Sequence, residues 1–149
     1  MAMESPESQT TPITLGEAEI IKLRNIWHNS KKEALRRQLR GSTLKVFMLG
    51  RVKPIMNDRR HLRLYRGITS KPITRNLSSR TDFDSGLAGE YWTTDLEKAK
   101  RYSDLEGKVF QVELTAGELC DRSLVSVTDV FDEFRILGKH IQKRAQELV

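Results

Sequence analysis

The order of the predicted elements assigns this chain of 149 residues to the α+β class. A long amphipathic helix comes first, several short strands follow, and one short helix lies between two of them. Apolar residues recur at helical spacing in the N-terminal third and alternate with polar residues later in the chain. The length fits a single domain, and we find no internal repeat. We predict a disordered tail (1–12) and one domain (13–149), in which a basic helical segment (13–42) precedes a β-rich core (43–149).

The first helix is predicted from the capping-box spacing of Thr14-Leu15-Gly16-Glu17 and from an apolar stripe that runs to about Arg40. The stripe loosens around Asn29-Ser30, which leaves both one helix and two helices open. The next segment, TLKVFMLGRV (43–52), is short and apolar and fits either a strand or a helix.

The strands are predicted from residue 62 onwards. LRLYRG (62–67) favours a strand, and the connection that follows (68–90) has a length typical of functional or disordered loops. Thr94-Asp95-Leu96-Glu97 predicts a second capping box and a helix to about Ser103. KVFQVEL (108–114) alternates like a half-buried strand.

The C-terminal part is predicted with less regular structure. TAGELCDRS has the composition of a turn-rich link, and the segment 123–140 contains at least one further strand, centred on 133–137. The final QKRAQELV is compatible with a helix.

Positive charge is concentrated in the first half of the chain. Residues 1–75 carry a net charge of +10 and residues 76–149 a net charge of −4, within a total of +6. A basic half indicates an anionic partner, such as nucleic acid, a nucleotide or an acidic protein face, and a merely solvated surface explains it equally well. The polar face of the first helix carries Lys22, Lys31, Lys32, Arg36, Arg37 and Arg40, and for the cluster KKEALRRQLR a solvated helix face is favoured over an anion-binding one.

The N-terminal segment MAMESPESQTTP has neither the basic flank nor the apolar core of a signal peptide, and no run approaches a membrane span. A single cysteine, Cys120, excludes an internal disulfide and is consistent with a reducing compartment. We expect a cytoplasmic protein, or one delivered into a host cell cytosol by a route that reads no classical signal.

Several common sites find no support in the sequence. His28, His61 and His140 lie far apart and Cys120 stands alone, so we predict no metal site. The chain has no GxxxxGK[ST] phosphate loop, no GxGxxG fingerprint and no GxSxG elbow.

Three places remain as candidates for chemistry, and the first is Arg66. In a strand at LRLYRG, Leu62, Leu64 and Arg66 share a face, so that an apolar face ends in a guanidinium group. Such a residue can bind a phosphate or carboxylate at the rim of a cleft, or it can pair with a structural carboxylate.

The second place is the run Tyr91-Trp92-Thr93-Thr94 before the short helix. Tyr91 can stack on a flat ring and still use its hydroxyl, whereas Trp92 is predicted to pack on the opposite side. Thr94 is predicted to cap the helix, which leaves Thr93 as the freer hydroxyl.

The third place is FDEFRIL (131–137), where Asp132 and Glu133 stand at the head of an apolar strand. Two adjacent acids there are costly if buried without purpose, and a carboxylate at this position could stabilise a developing cation. Alternation places Asp132 with Phe134 and Glu133 with Leu137, so either acid could be the acting group.

Together these elements resemble the mono-ADP-ribosyltransferase superfamily, of toxin and effector type. LYRG is similar to its first core strand, GEYWTTDLEKAKRYSD to its second block, EGKVFQVELTAGEL to the strand that follows, and DEFRIL to its last block. The resemblance covers roughly residues 62–140. It implies a mixed, mostly antiparallel, split β-sheet core and the use of NAD as a substrate without a metal.

The resemblance also implies roles for individual residues. Glu133, Tyr91 and Arg66 would be catalytic, and the NAD-binding residues would be Arg66, Gly67, Tyr91, Thr93, Thr94 and Tyr102. Two positions depart from the family pattern. Trp92 stands where one subgroup has a serine, and Phe131 stands where many protein-modifying members have a second Glu or Gln, which leaves the acceptor open.

The reaction expected from this resemblance transfers ADP-ribose from NAD to a macromolecular acceptor, protein or nucleic acid, with release of nicotinamide. Its cleavage step passes through an oxocarbenium-like state, as in glycoside hydrolysis. The alternatives are a non-catalytic nucleic-acid-binding protein that uses the basic half, and an inactive member of the same fold that acts as an inhibitor or adaptor.

Overall fold

The structure is a computed structural model that describes residues 12–68, 91–103, 107–128, 130 and 132–148. Within these ranges the chain forms five helices and seven strands. The helices are α1 (Glu17–Arg36), α2 (Gly41–Val52), α3 (Leu96–Tyr102), α4 (Ala116–Leu119) and α5 (Lys139–Gln142). The strands are β1 (Ile13–Thr14), β2 (Arg60–Ile68), β3 (Tyr91–Thr93), β4 (Lys108–Leu114), β5 (Val125–Val127), β6 (Glu133–Ile136) and β7 (Gln146–Leu148).

The described residues fall into two compact units, one made of 12–62 and 114–121 and the other of 63–113 and 122–148. Residues 1–11 of the predicted tail and residues 69–90 of the predicted connection lie outside the described residues. Within the described residues, no helix combines the length and the apolar character that a membrane span requires.

The first unit is built on the pair α1 and α2. Its core is apolar and includes Leu23, Trp27, Leu44, Met48, Val52, Met56, Leu119 and Cys120, all at most 2% exposed. The short strand β1 pairs in parallel with the start of β2, with Ile13 opposite Arg60. Arg60 also donates hydrogen bonds to both carboxylate oxygens of Glu19, which ties α1 to the same strand.

The start of α1 differs from its prediction. Thr14 belongs to β1, and the N-cap residue is Gly16, whose N–H donates to the Glu19 side chain at 3.1 Å. The capping-box prediction at Thr14 is therefore wrong. The carboxylate that accepts the N–H of the N-cap residue belongs to Glu19, and the N-cap residue three positions before it is Gly16.

The end of α1 also lies earlier than predicted, although the helix is continuous through Asn29-Ser30. It ends at Arg36 because Gln38 adopts a left-handed backbone conformation with φ of 58°. Leu39 N–H donates to the Ala34 carbonyl and Gln38 N–H to the Leu35 carbonyl, which is the Schellman pattern of a helix C-terminus. The prediction that the helix runs to about Arg40 is thus wrong.

Two further segments of the first unit contain helices, one that the sequence left between strand and helix and one that it predicted as a turn-rich link. Residues 43–52 lie in α2, so helical structure extends beyond residue 42. The segment predicted as a turn-rich link contains α4, which Thr115 caps by accepting the Glu118 N–H at 3.2 Å while the Glu118 side chain accepts the Thr115 N–H at 3.0 Å. This reciprocal pattern was present in the sequence as Thr-x-x-Glu and was missed.

The second unit is a sheet with the strand order β5–β6–β3–β2–β4–β7. The pairs β2–β3, β3–β6, β5–β6 and β4–β7 are antiparallel. With the parallel β1–β2 pair, the sheet is mixed and mostly antiparallel. The predicted α+β class with N-terminal helices is confirmed.

One face of this sheet is mostly apolar and is buried in β2, β3, β5 and β6. Leu64 of β2, Trp92 of β3, and Phe134 and Ile136 of β6 are all 0% exposed, and Val125 of β5 is 1% exposed. The prediction that Trp92 packs in the core is confirmed. The helix α5 lies against β6 with Ile141 buried, and the Gln142 side chain donates to the Ile136 carbonyl at 2.9 Å.

The C-terminal octapeptide is not one helix. Only Gln142 belongs to α5, and residues 146–148 form β7, in which Gln146 pairs with Gln111. The helix prediction for QKRAQELV is therefore wrong, because pairing with the exposed edge of β4 satisfies the backbone of this short polar segment.

Candidate active site

The three blocks that carry the candidate chemistry lie on three neighbouring strands, β2, β3 and β6. Thr93 is opposite Tyr65 on one side and opposite Glu133 on the other, and Tyr91 is opposite Arg135. Because residues directly opposite each other share a face, these five residues belong to one face of the sheet. The buried side chains of Trp92 and Phe134 lie on the other face of the sheet.

The helix α3 lies on this face and approaches β2 at Gly67. A Cβ atom on Gly67 would come within 1.9 Å of the Ala99 carbonyl oxygen and 2.9 Å of the Ser103 nitrogen. Ala99 itself is 0% exposed. Gly67 therefore allows the backbone of α3 to contact the strand, and only glycine fits at this position.

The start of α3 differs by one residue from its prediction. Asp95 is the N-cap, and its Oδ1 accepts the N–H groups of Glu97 and Lys98 at 3.0 and 3.3 Å. Thr94 lies just before the cap and donates its N–H to the Asp132 carbonyl at 3.0 Å. The assignment of Thr94 as the cap is wrong, since the competing carboxylate of Asp95 binds the free N–H groups of the first turn.

A buried polar cluster joins α3 to the start of β6. Asp132 is 8% exposed, and its Oδ1 accepts a hydrogen bond from Lys98 Nζ at 3.0 Å. Its Oδ2 accepts from the Thr93 hydroxyl at 3.3 Å, while the Asp95 N–H donates to the same hydroxyl oxygen at 3.0 Å. Both carboxylate oxygens of Asp132 therefore have structural partners.

The neighbouring carboxylate has a different environment. Glu133 begins β6, its side chain is 15% exposed, and its Oε1 lies 3.7 Å from the Lys98 ammonium. Lys98 is thus shared between the two acids. Burial lowers the pKa of Lys98, but the hydrogen bond to Asp132 and the charges of Asp132, Glu133 and Tyr102 outweigh that effect and raise the pKa above its ordinary value.

The two aromatic residues of β3 have different environments. Trp92 is 0% exposed in the core, whereas Tyr91 is 52% exposed on the face that carries Glu133. The guanidinium of Arg135, the cross-strand partner of Tyr91, lies 5.7 Å from the centre of the tyrosine ring. An aromatic ring that is half exposed in this way can stack on another flat ring.

Arg66 emerges on the opposite face from Glu133, because it follows Tyr65 directly in β2. It is 9% exposed and shares the buried face with Leu62 and Leu64, as predicted. Its Nη1 donates to the Tyr91 carbonyl at 3.0 Å. Arg66 therefore contacts the backbone of β3 at the residue whose ring is exposed.

The other predicted NAD-binding residues are distributed around this face. Thr93 is 3% exposed, and its hydroxyl donates to Asp132 and accepts from the Asp95 N–H, so the expectation that Thr93 has the freer hydroxyl is wrong. Gly67 is covered by α3. Tyr102, the last residue of α3, is 54% exposed. Their roles toward NAD remain predictions.

Two residues of this region were missed in the sequence, Lys98 and Arg135. A signal for Lys98 existed, because two adjacent acids at the head of a buried strand require a cation nearby. The short helix offers Lys98, Lys100 and Arg101, and only the fold selects among them. Arg135 stands in an otherwise apolar strand, and alternation gives it the same face as Glu133.

Among the described residues there is no group of three His, Cys, Asp or Glu side chains placed to hold a metal ion. Comparisons with protein-family models, with curated proteins and with solved structures give no match for this chain.

Proposed function

We propose that the protein is an NAD-dependent ADP-ribosyltransferase that transfers ADP-ribose to a macromolecular acceptor. The observation that carries the proposal is the relation between Tyr91 and Glu133. Thr93 is opposite Glu133 in the β3–β6 pair, so Tyr91, two residues before Thr93, is a diagonal neighbour of Glu133 on the same face. Such neighbours are about 7–8 Å apart, close enough for one ring-bearing ligand to contact both side chains.

The two residues supply the two functions that cleavage of NAD requires. The exposed ring of Tyr91 stacks on nicotinamide and holds the leaving group in line. The carboxylate of Glu133 accepts a hydrogen bond from a ribose hydroxyl and stabilises the oxocarbenium ion that forms. The bond between the ribose carbon and the nicotinamide nitrogen breaks, and its electron pair stays on the nicotinamide.

The proposal assigns the acting role to Glu133 and a structural role to Asp132. Asp132 is almost fully buried, and both its oxygens have partners in Lys98 and Thr93. Lys98 also lies against one oxygen of Glu133, which limits the positions of that side chain. Positioning of this kind favours catalysis because less ordering is needed in the transition state.

Arg66 has a positioning role in this proposal. Its guanidinium donates to the Tyr91 carbonyl and so holds the first residue of β3. A direct contact of Arg66 with a phosphate or ribose of NAD remains a prediction from the family resemblance.

The experiment is incubation of the full chain with NAD labelled in the nicotinamide ring and, separately, in the adenine ring. The proposal expects release of free nicotinamide and transfer of the adenine label to an acceptor in a cell extract. Tyr91→Ala is expected to lower nicotinamide release by about 10- to 100-fold, whereas Tyr91→Phe keeps the ring and most of the activity. Absence of NAD binding and of nicotinamide release in the parent protein, with and without extract, would contradict the proposal.

A further inference from the structure

A surface of concentrated positive charge lies on the last turns of α1, on the segment that joins it to α2 and at the C-terminal end of α2. Residues 31–53 contain eight Lys or Arg side chains and one acidic side chain, Glu33. Seven of the eight are exposed and define the basic surface: Lys31, Lys32, Arg36, Arg37, Arg40, Arg51 and Lys53. The eighth, Lys45, is partly buried and lies 3.7 Å from Asp121.

Two arginines of the basic surface converge on one aromatic ring. The guanidinium of Arg37, just after α1, lies 5.4 Å from the centre of the Phe47 ring, and that of Arg51, in the last turn of α2, lies 4.6 Å from it. Stacking on the ring restricts both guanidinium groups. Less side-chain entropy is then lost when they bind an anion.

The one acidic side chain of this stretch does not neutralise the surface. Glu33 accepts a hydrogen bond from Arg36, and this bond is the main reason why the pKa of Glu33 is lowered. The charges of Arg36, Arg37 and Arg51 lower it further. Glu33 therefore lies in the combined field of three arginines, and a large excess of positive charge remains.

We propose that the basic surface binds the phosphodiester backbone of a nucleic acid. The cations lie at both ends of α2, with Arg40 before its first residue and Arg51 and Lys53 at its C-terminal end, and the 12 residues of this helix are about 18 Å long. A nucleic acid strand presents a phosphate about every 3.4 Å over such a length, a regular charge density that matches several exposed cations at once. Leu35 and Val46, which are 80% and 69% exposed, add apolar area against which sugars or bases can pack.

This binding does not depend on NAD chemistry, so its test needs no NAD. The parent protein is titrated into fluorescein-labelled single-stranded RNA, single-stranded DNA and duplex DNA of mixed sequence, and anisotropy is recorded at several salt concentrations. We expect dissociation constants of about 10⁻⁴ to 10⁻⁶ M near physiological salt and a steep loss of affinity as salt rises.

Three double variants locate the contact. Arg37→Gln with Arg51→Gln, and Arg36→Gln with Arg40→Gln, each remove two charges from the basic surface. Both are expected to weaken binding about tenfold and to reduce the salt slope by about 2. The control is Arg122→Gln with Lys139→Gln, which removes the same charge from exposed positions outside this surface and is expected to change affinity by less than about twofold.

Three results would overturn the proposal. The first is no binding of any of the oligonucleotides at low salt. The second is an equal loss of affinity in the control variant, which would mean that only net charge matters. The third is binding of polyglutamate or of vesicles with anionic lipids in place of nucleic acid, which would identify a different partner. Arg37→Lys with Arg51→Lys keeps the charge and is expected to retain most of the affinity, which separates binding from folding.

Discussion

The Nζ atom of Lys98 lies 3.0 Å from Oδ1 of Asp132, so that one ion pair joins helix α3 to the residue before strand β6. The same ammonium lies 3.7 Å from Glu133. The position of the proposed acting carboxylate is therefore coupled to the structural pair of Lys98 and Asp132.

Lys98→Met is expected to destabilise the protein by about 1.5–3 kcal/mol, because Asp132 is 8% exposed and loses its cation while remaining buried. Methionine keeps the length of the side chain, so the loss reports the charge and the hydrogen bond. The measurement is the free energy of unfolding in urea.

The control for this prediction is Lys100→Met, on the same helix. Lys100 pairs with Glu97, but the two side chains are 56% and 71% exposed. Exposed ion pairs contribute little to stability, so we expect the free energy of unfolding to change by no more than about 0.5 kcal/mol. Similar losses in both variants would mean that Asp132 does not depend on Lys98.

The substitution of glycine by alanine is expected to have opposite effects on stability at Gly67 and at Gly50. Gly67→Ala places a Cβ 1.9 Å from the Ala99 carbonyl oxygen, so α3 must move away from β2, and we expect a loss of about 1–3 kcal/mol or more. Gly50 lies inside α2, where an added Cβ would meet no atom within 4 Å, and Gly50→Ala is expected to stabilise by about 0.5–1 kcal/mol. Thermal unfolding of both variants measures the difference, and stabilisation by Gly67→Ala would refute the close contact.

Cys120 gives a prediction for the dependence of stability on pH. Burial raises the pKa of its thiol from 9.0 to about 11, although the charge of Lys45 lowers it somewhat. Above pH 9 the unfolded chain loses this proton while the folded chain keeps it, so the stability falls as pH rises from about 9 to about 11. Over this pH range the thiol is expected to lower the free energy of unfolding by about 2–3 kcal/mol, and this loss is absent in Cys120→Ala.

The measurement for Cys120 is urea unfolding of the parent and of Cys120→Ala between pH 8 and pH 11, at values taken about one unit apart. Parallel pH profiles for the two proteins would contradict the prediction. A second readout is alkylation of the native thiol at pH 8, which we expect to be slow compared with alkylation in urea, because the side chain is 1% exposed.

Much of the fold could be predicted from the sequence, because periodicity is a local property. KVFQVEL forms β4 over the predicted residues 108–114, and the buried face of β2 contains Leu62, Leu64 and Arg66 as expected. Helix ends were predicted less well, since they depend on which of several neighbouring polar side chains reaches the free N–H groups. The N-cap residue is Asp95 and not Thr94 in α3, and it is Gly16 and not Thr14 in α1.

Individual residues of the candidate site could be predicted from the sequence, but the contacts between them could not. The sequence predicted that Trp92 packs in the core, which is confirmed by the structure, whereas the stacking role predicted for Tyr91, which is 52% exposed, stays a prediction. The sequence left Asp132 and Glu133 as alternatives, because their roles depend on Lys98, which lies 34 residues before Asp132 in the chain. The register that places Glu133 opposite Thr93, and Arg66 on the other face, is likewise a property of the strand pairing alone.

The most direct test of the proposed function is the rate of nicotinamide release from NAD by Glu133→Gln, compared with Asp132→Asn and with Glu147→Gln. Glu147 lies on β7 and pairs with Lys108 at 3.8 Å, so its amide variant is a matched control. We expect Glu133→Gln to lower the rate by about 10²- to 10³-fold, and Glu147→Gln to leave it unchanged. Asp132→Asn is expected to act mainly on the free energy of unfolding. A parent protein that releases nicotinamide at a rate unaffected by Glu133→Gln would contradict the assignment of this residue.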